Sequence, residues 1–275
     1  LKLFIVATPI GNLQDITARA VETLSTVDLI ASEDTRHSAT LLQHLGINTP
    51  LVAYHDHNEQ AVSASLIGQV KQGKRVALIS DAGTPLISDP GYRLVQRAHE
   101  EGVTVVPIPG ASAVITALSA SGLATDRFLF VGFLSAKKEA RQKALQELAQ
   151  ERATLVFYES RHRIDASLQD MVEVLGGDRQ ASIGRELTKK FEQISHGSLE
   201  SLGQQVSAGQ IVNKGEFVVM VSGNQNPTGN HDHVKLMQAL LAELPPRKAA
   251  GVASQITGEP KKLFYDLSLE LKKQP

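Results

Sequence analysis

Five times in the first 122 residues a short apolar run alternates with a stretch of helical periodicity, and this narrows the fold more than any other feature of the chain. The runs are Leu3–Ala7, Asp28–Ser32, Leu51–Tyr54, Val76–Ser80 and Val103–Ile108, with helical patterns near 16–25, 36–45, 58–71, 92–101 and 112–121. Parallel strands need long crossovers, and helical crossovers cover both faces, so the pattern predicts a mostly parallel sheet in an α/β fold. Leu123 to Arg127 reads as a linker into a second, mixed α/β half. Its strand runs are Phe128–Phe133, Thr154–Tyr158, Ala181–Glu186, Phe191–Ser198 and Glu216–Val221, with helices near 137–150, 163–175 and 199–208. Connections after residue 180 are short, which predicts a partly antiparallel sheet.

Gly223 to Asn230 is a turn-rich breaker, and three helices follow it. Leu236, Leu240, Leu241 and Leu244 form the stripe of the first. Pro245-Pro246 opens the second, Gly258 ends it, and the third runs from Pro260 to Leu271. Val252, Ile256, Leu263, Phe264 and Leu267 are the expected core of this tail. The expected domains are therefore 1–122, a second α/β domain over 127–223 closing a cleft, and a helix-turn-helix-like tail over 231–275.

Four of the expected strand ends in the first half carry loops richer than a plain turn needs. Ala7-Thr8-Pro9-Ile10-Gly11-Asn12-Leu13-Gln14-Asp15 follows the first, with Asp15 expected to cap the next helix. Glu33-Asp34-Thr35-Arg36 follows the second. Ser80 to Gly91, about twelve residues holding two Gly, two Pro and two Asp, follows the fourth. Pro107-Ile108-Pro109-Gly110-Ala111-Ser112-Ala113 follows the fifth. Gly83 and Gly91 allow close backbone approach, while Pro85 and Pro90 stiffen the path. Four such loops at the carboxyl edge of one sheet describe a binding cleft.

Composition bounds what that cleft serves. With 42% hydrophobic and 21% charged residues, the chain is that of an ordinary globular protein. It has no cysteine, so neither a disulfide frame nor a thiolate metal site exists, in keeping with a reducing, cytoplasmic setting. No apolar run approaches the ~20 residues that cross a bilayer, so no membrane partner is expected. Leu1 to Val6 reads as a first strand and not a signal segment, and the absence of methionine at position 1 reads as trimmed numbering. A net charge of −1 argues against a general nucleic-acid coat protein. A polyanion would have to meet local groups such as Lys137-Lys138, Arg161-His162-Arg163 or Lys189-Lys190.

Three motifs point elsewhere and fail on context. Gly68 to Lys74 matches the start of a phosphate loop, but Arg75 stands where Ser or Thr is required, and the segment enters a strand instead of a helix. Gly73 there is a helix C-cap glycine. No Gly-x-Gly-x-x-Gly follows the first strand. His55-Asp56-His57 and His231-Asp232-His233 lack a third ligand at a recognisable spacing, so no metal is expected.

Taken in order, Thr8-Pro9-Ile10-Gly11-Asn12-Leu13, Ser32-Glu33-Asp34-Thr35-Arg36, the Ser80–Gly91 loop, Pro107 to Ala113 and Phe157-Tyr158-Glu159-Ser160 resemble the tetrapyrrole-methylase superfamily, over roughly residues 3–223. Members bind S-adenosylmethionine between two α/β domains. Two departures from the porphyrinoid enzymes, Thr8-Pro9-Ile10-Gly11 in place of a Gly-rich turn and Gly83-Thr84-Pro85 in place of Gly-Asp-Pro with its acid shifted to Asp81, match the branch that modifies ribosomal RNA. The helical tail is similar to that branch as well. The resemblance implies 2′-O-methylation of a ribose, a cytidine in the decoding region of 16S rRNA within the small ribosomal subunit, by a homodimer. Carried over motif by motif, the cofactor contacts fall at Pro9, Ala82, Gly83, Thr84, Ile87, Ser112, Ala113, Glu159 and Leu187.

Methyl transfer from a sulfonium to a hydroxyl needs alignment first and a base second. Asp81, at a strand end, is the first candidate base; Glu33 and Glu186 follow. Lys189 qualifies only if burial depresses its pKa, and otherwise serves as a phosphate contact. Asp81 equally suits capping of loop amides, and Glu33 suits pairing with Arg36. RNA phosphates are assigned to Arg36, Arg161, Arg163, Lys189 and Lys190. Two other readings share these residues. One is methylation of a tetrapyrrole or other small molecule, which the identity of the methylated acceptor distinguishes; the other is a non-catalytic RNA-binding protein, which binds cofactor without transfer.

Overall fold

The computed structural model describes residues 1–225 and 230–271, with the side chains of residues 230–232 left aside. Residues 226–229 of the turn-rich breaker and the last tail lysines lie outside the described residues, as do the side chains of His231 and Asp232 in the second His-Asp-His motif.

The first five strands, β1 (Lys2–Val6), β2 (Leu29–Ser32), β3 (Leu51–Ala53), β4 (Val76–Ile79) and β5 (Thr104–Ile108), form one parallel sheet in the order β3-β2-β4-β1-β5. The chain runs outward from β1 through β2 to β3, then returns to β4 and crosses to β5. Right-handed crossovers in opposite directions put their helices on opposite faces. Accordingly α1 (Ala18–Thr26) and α2 (Thr35–His44) bury Ala20, Leu24 and Leu42 against Phe4, Val6 and Ile30. Helices α3 (Glu59–Lys71) and α4 (Tyr92–Glu100) bury Leu66, Ile67 and Leu94 against Leu3, Ile5 and Ala31 on the other face. Loops leaving the neighbouring strands β1 and β4 therefore diverge, and a crevice opens between them.

The second sheet has β6 (Phe128–Phe133), β7 (Thr154–Ser160), β8 (Gln180–Arg185), β9 (Gln193–Ser198) and β10 (Glu216–Val221) in the order β6-β7-β10-β8-β9. Only the β6–β7 pair is parallel, because β10 inserts antiparallel between β7 and β8. Along β10 the pleat alternates strictly. Phe217, Val219 and Val221 enter a core with α6 (Lys138–Leu148), α7 (Ile164–Leu175) and α8 (Leu199–Ser207), while Val218 and Met220 face α5 (Ala113–Ala120) through Val114, Ala117 and Leu118. Helix α5 thus belongs to the first sheet by connection and to the second by packing. Both sheets lie in one compact unit, Leu1–Ala149 with Ala153–Gly223.

The other unit, Gln150–Arg152 with Asn224–Pro275, holds α9 (Asn230–Glu243), α10 (Pro246–Thr257) and α11 (Lys261–Leu271). Met237, Ala249, Ala250, Ala253 and Phe264 form its core, with Leu267 packed against them. Two expected core residues are outside it: Ile256 is 65% exposed and Leu263 42% exposed. They flank the left-handed Gly258 turn, at the end of the bundle, while the alanine face of α10 carries the packing. Val252 is only partly buried.

Local chemistry corrects one expected cap and bears out another. Thr17, not Asp15, caps α1, accepting from Ala20 N at 3.1 Å, because Leu13–Asp15 is spent on a 3₁₀ turn capped by Asn12. Gly73 ends α3 in left-handed backbone at φ 96°, just past Gln72, with its N–H donating to Val70 O at 3.0 Å and Lys74 N donating to Gln69 O at 3.1 Å. Strand β9 starts at Gln193 instead of Phe191, since residues 186–192 form a loop.

Among the described residues no helix is long and apolar enough to cross a membrane. Gly91 opens α4 at φ 139°, and a Cβ there would lie 2.8 Å from Leu78 and 2.9 Å from Leu86. Gly91→Ala is expected to cost ~1–3 kcal/mol through the forced backbone and the overpacked leucines. Urea unfolding should show this as a lower midpoint at unchanged slope.

Candidate functional site

The crevice is closed into a site by hydrogen bonds between loops. Beyond the ends of β1 and β4, Thr8 N donates to Gly83 O at 2.8 Å and Gly83 N returns the bond to Thr8 O at 3.1 Å. The Thr8 hydroxyl donates to Ser80 O at 3.2 Å, and the Thr84 hydroxyl donates to Ala111 O at 3.0 Å. At the far end of the loop, Glu59 Oε1 accepts from Arg93 N at 3.2 Å and from the Tyr54 hydroxyl at 2.9 Å. The 80–91 loop is thereby held by its neighbours on three sides.

Between this loop edge and the second sheet lies a cavity of ≈ 590 Å³, within the range typical of small-molecule sites. Ala82, Gly83, Thr84, Ile87, Ser112 and Ala113 line one side. Glu159 and Leu187 line the other. Pro9 is buried and does not line it; its neighbour Ile10 does. The one expected contact that misses the cavity therefore misses it by a single residue.

Glu159 is a fully engaged buried acid. Its side chain is 1% exposed and sits 3.0 Å from Arg163 Nε, with Ser160 N donating at 2.8 Å and the Ser167 hydroxyl at 2.5 Å. Arg163 also donates to Leu134 O at 3.2 Å and stacks 5.7 Å from the Phe133 ring centre. That network places Arg163 as a clamp on Glu159, not as the open phosphate contact expected of it. Arg161 is exposed and donates to His162 Nε2 at 3.0 Å, and both line the cavity.

The candidate bases divide. Asp81 does not line the cavity; its Oδ1 accepts from Asp34 N at 3.0 Å, which ties the β2 and β4 loops together. Glu33 does not line the cavity either. Burial, followed by the charges of Asp81, Asp89, Asp56 and Asp34, holds the Glu33 carboxyl above the usual range. The expected partner of Glu33, Arg36, pairs instead with Asp34 at 3.4 Å, with its side chain 92% exposed. Glu186 and Lys189 both line the cavity and pair at 3.0 Å, while Lys189 reaches Glu216 at 2.7 Å. Burial opposes the charge on each. For Glu186 the Lys189 ammonium and Glu216 N–H outweigh it and lower the carboxyl pKa, and for Lys189 the two carboxylates outweigh it and raise the ammonium. A lysine so held is a cation at neutral pH and no base. Lys190 is exposed beside Phe191.

Several lining residues, Glu216 and His162 among them, were not expected at the site from the sequence, and three of these matter most to its chemistry. Asp89 sits in the glycine- and proline-rich loop, eight residues beyond Asp81 and away from the strand end. Tyr158 lies inside a motif whose other members drew the assignment. Phe133 ends β6, 55% exposed and 5.5 Å from the Tyr158 ring centre. All three line the cavity. Burial, then the Asp89 charge, pushes the Tyr158 hydroxyl up to about 12. Among the described residues, no cluster of His, Asp and Glu is arranged to hold a metal ion.

Known proteins resemble this chain at two levels. Residues 2–203 match the model of the tetrapyrrole (corrin/porphyrin) methylases, and residues 228–272 match the RsmI C-terminal HTH domain. The ribosomal RNA small subunit methyltransferase I of Haemophilus influenzae is 50% identical over 97% of this chain and 96% of its own length. The protein of that name from Pseudomonas aeruginosa is also 50% identical, over 98% and 96%. Solved structures share the fold at low identity. The methyltransferase CobJ matches with TM-score 0.59 at 20% identity, over 80% of this chain and 93% of that one. Uroporphyrin-III C-methyltransferase from Thermus thermophilus, complexed with S-adenosylhomocysteine, matches with TM-score 0.55 at 18% identity, over 80% and 97%.

Gly83 is at φ 84°, and a Cβ there would lie 3.2 Å from Ile10. Gly83→Val forces a β-branched side chain into that conformation, a strain of ~1–3 kcal/mol that the loop relieves by moving its backbone. S-adenosylmethionine affinity, measured by calorimetry, is expected to fall at least ~10-fold while circular dichroism stays unchanged. Unchanged affinity would remove Gly83 from the cofactor contacts.

Proposed function

We propose that this chain, which belongs to the tetrapyrrole (corrin/porphyrin) methylase family, is an S-adenosylmethionine-dependent methyltransferase of 16S rRNA in the small ribosomal subunit. The target on this reading is the 2′-hydroxyl of a cytidine in the decoding region, in the cytoplasm. The observation carrying the reading is 50% identity, over nearly both full lengths, to proteins named ribosomal RNA small subunit methyltransferase I.

The residues present suit the cofactor. Gly83 and Ala82 present backbone where side chains would intrude, Thr84 adds a hydroxyl already fixed to Ala111 O, and Ile87 and Leu187 offer apolar cover. When bound, S-adenosylmethionine supplies an activated methyl on a sulfonium centre, so the protein's task is alignment and proton removal. The cavity is too narrow for an RNA helix, so the acceptor nucleotide enters unstacked. Phe133 and Tyr158 provide ring faces, and Arg161, Lys190 and Arg36 are exposed cations for the flanking phosphates. Lys189 reaches a phosphate only by exchanging Glu186 or Glu216 for it.

A homodimer is part of the proposal. The edge strand β6 leaves Phe128, Leu129 and Phe133 43%, 37% and 55% exposed, and Ile115 on α5 is 55% exposed. An apolar sheet edge of this kind invites a second chain. The C-terminal helices are assigned to engagement of the assembled subunit.

Two measurements test this. Labelled methyl transfer to small subunits from cells lacking the protein should yield 2′-O-methylcytidine on nucleoside digestion; label confined to small molecules, or absent, overturns the RNA assignment. Truncation after Gly223 should leave cofactor affinity intact and weaken subunit methylation, most at low salt and less at higher salt, where the lysine–phosphate contacts of the full-length chain are screened as well. Equal methylation at every salt concentration would make the C-terminal helices a structural appendage.

A further inference from the structure

Four carboxylates line the cavity among the described residues: Asp89, Glu159, Glu186 and Glu216. Glu159 is neutralised by Arg163, and Glu186 and Glu216 share Lys189. Asp89 faces no cation at ion-pair distance. His162, the other candidate acceptor on the wall, spends its Nε2 on Arg161. The geometry points to Asp89 as the group that receives the proton of the attacking ribose hydroxyl, an assignment that rests on reading the cavity as a methyl-transfer site.

Its placement suits that role. Asp89 follows two non-glycine residues held in left-handed backbone, Leu86 at φ 74° and Ser88 at φ 65°. Such strain persists where the surroundings over-determine it, and it clusters at working sites. Here the surroundings are visible: Ser88 packs against Gly132 of β6, and Glu59 caps the start of α4 just beyond. The loop therefore spans from the first sheet to the second with Asp89 facing the space between.

The groups facing Asp89 set its proton affinity. Ser80 and Asp81 stand at the end of β4, Glu33 at the end of β2 and Tyr158 on β7, with Lys189 bound to its two glutamates and Arg161 bound to His162 further round the wall. Burial pushes the Asp89 carboxyl up, the Ser80 hydrogen bond draws it back, and the Asp81 charge adds to the rise, leaving it at about 6. A base works best when its pKa is close to the operating pH while it remains ionised. In the transfer, a lone pair of the ribose oxygen forms the new O–CH₃ bond and the C–S pair returns to the donor's sulfur, leaving a neutral thioether. The hydroxyl proton moves to an Asp89 oxygen and from there to water.

The test compares Asp89→Asn with the full-length wild type. The expected result is a loss of at least ~10² in kcat with S-adenosylmethionine affinity kept, and disappearance of the acidic limb near pH 6 from the kcat profile. Two readouts are independent of turnover. Carboxyl NMR of the cofactor-free wild type should show Asp89 titrating near 6. Because the folded state then binds this proton more tightly than the unfolded chain does, wild-type stability falls as pH rises from about 4 to about 6, and the Asn variant escapes that fall. Its melting temperature at neutral pH is therefore expected to equal or exceed the wild type's. Full kcat in the variant, a retained acidic limb, or a parallel loss of cofactor affinity would each overturn the assignment, the last by making Asp89 a counter-ion to the sulfonium. A wild type that transfers nothing to subunits defeats the RNA reading instead; the NMR titration then decides, and a carboxyl titrating near 4 overturns the role of Asp89.

Discussion

The reciprocal backbone pair between Thr8 and Gly83 is the constraint on which the cavity depends. It extends the pairing of two adjacent parallel strands past their ends, where the chains are turning toward opposite faces of the sheet. Without it the two loops would be free to separate. With it, the Gly83 backbone is fixed against the first loop, and the hydroxyls of Thr8 and Thr84 carry the restraint on to Ser80 and Ala111. Two close approaches follow. Gly83 adopts a conformation suited to glycine, and Gly110 lies so near Ala7 that an added Cβ would sit 2.9 Å from the Ala7 methyl.

The opposite wall depends on charge. Arg163 on Glu159 and Lys189 on Glu186 and Glu216 fix the second sheet's side of the cavity. The stem of Lys189 lies over Gly11, where a side chain of any size would overlap it, so this cluster also meets the first loop. Glu186 and Thr188 adopt positive φ, as do Leu86 and Ser88 in the loop across the cavity. Among the described residues, the non-glycine residues with left-handed backbone thus fall on two loops bordering one space. The strain and the unneutralised acids there are offset by apolar cores on both faces of each sheet.

Packing explains why α5 matters to both halves. Its Val114, Ala117 and Leu118 pack against Val218 and Met220 of β10, and the same helix carries Ala113 at its start, beside Ser112, into the cavity wall. A helix anchored in one sheet by its preceding loop and in the other by its apolar face holds the two walls at a set distance. Cofactor, acceptor and proton-accepting group are then positioned by the scaffold and not by the loops alone.

Periodicity and punctuation were enough to place the strands and helices to within a few residues, because both depend on neighbours close along the chain. The richness of the Ser80–Gly91 loop, and its place at a strand end, also marked the cavity edge, since glycine and proline declare their backbone needs locally. Strand order was not written in any local pattern: that β10 inserts between β7 and β8, or that β4 lies beside β1, follows from long-range burial. The same holds for side-chain direction in loops. Whether Pro9 or Ile10, Asp81 or Asp89, Arg161 or Arg163 faces the cavity depends on the path of the loop backbone and on partners such as Asp34, from the loop after the adjacent strand, for Asp81, and Glu159, one helical turn back, for Arg163. The sequence by itself determined the elements and the chemistry available to them; tertiary structure decided which acids were neutralised and which was left facing the cavity, because ion pairing is set by distance in space.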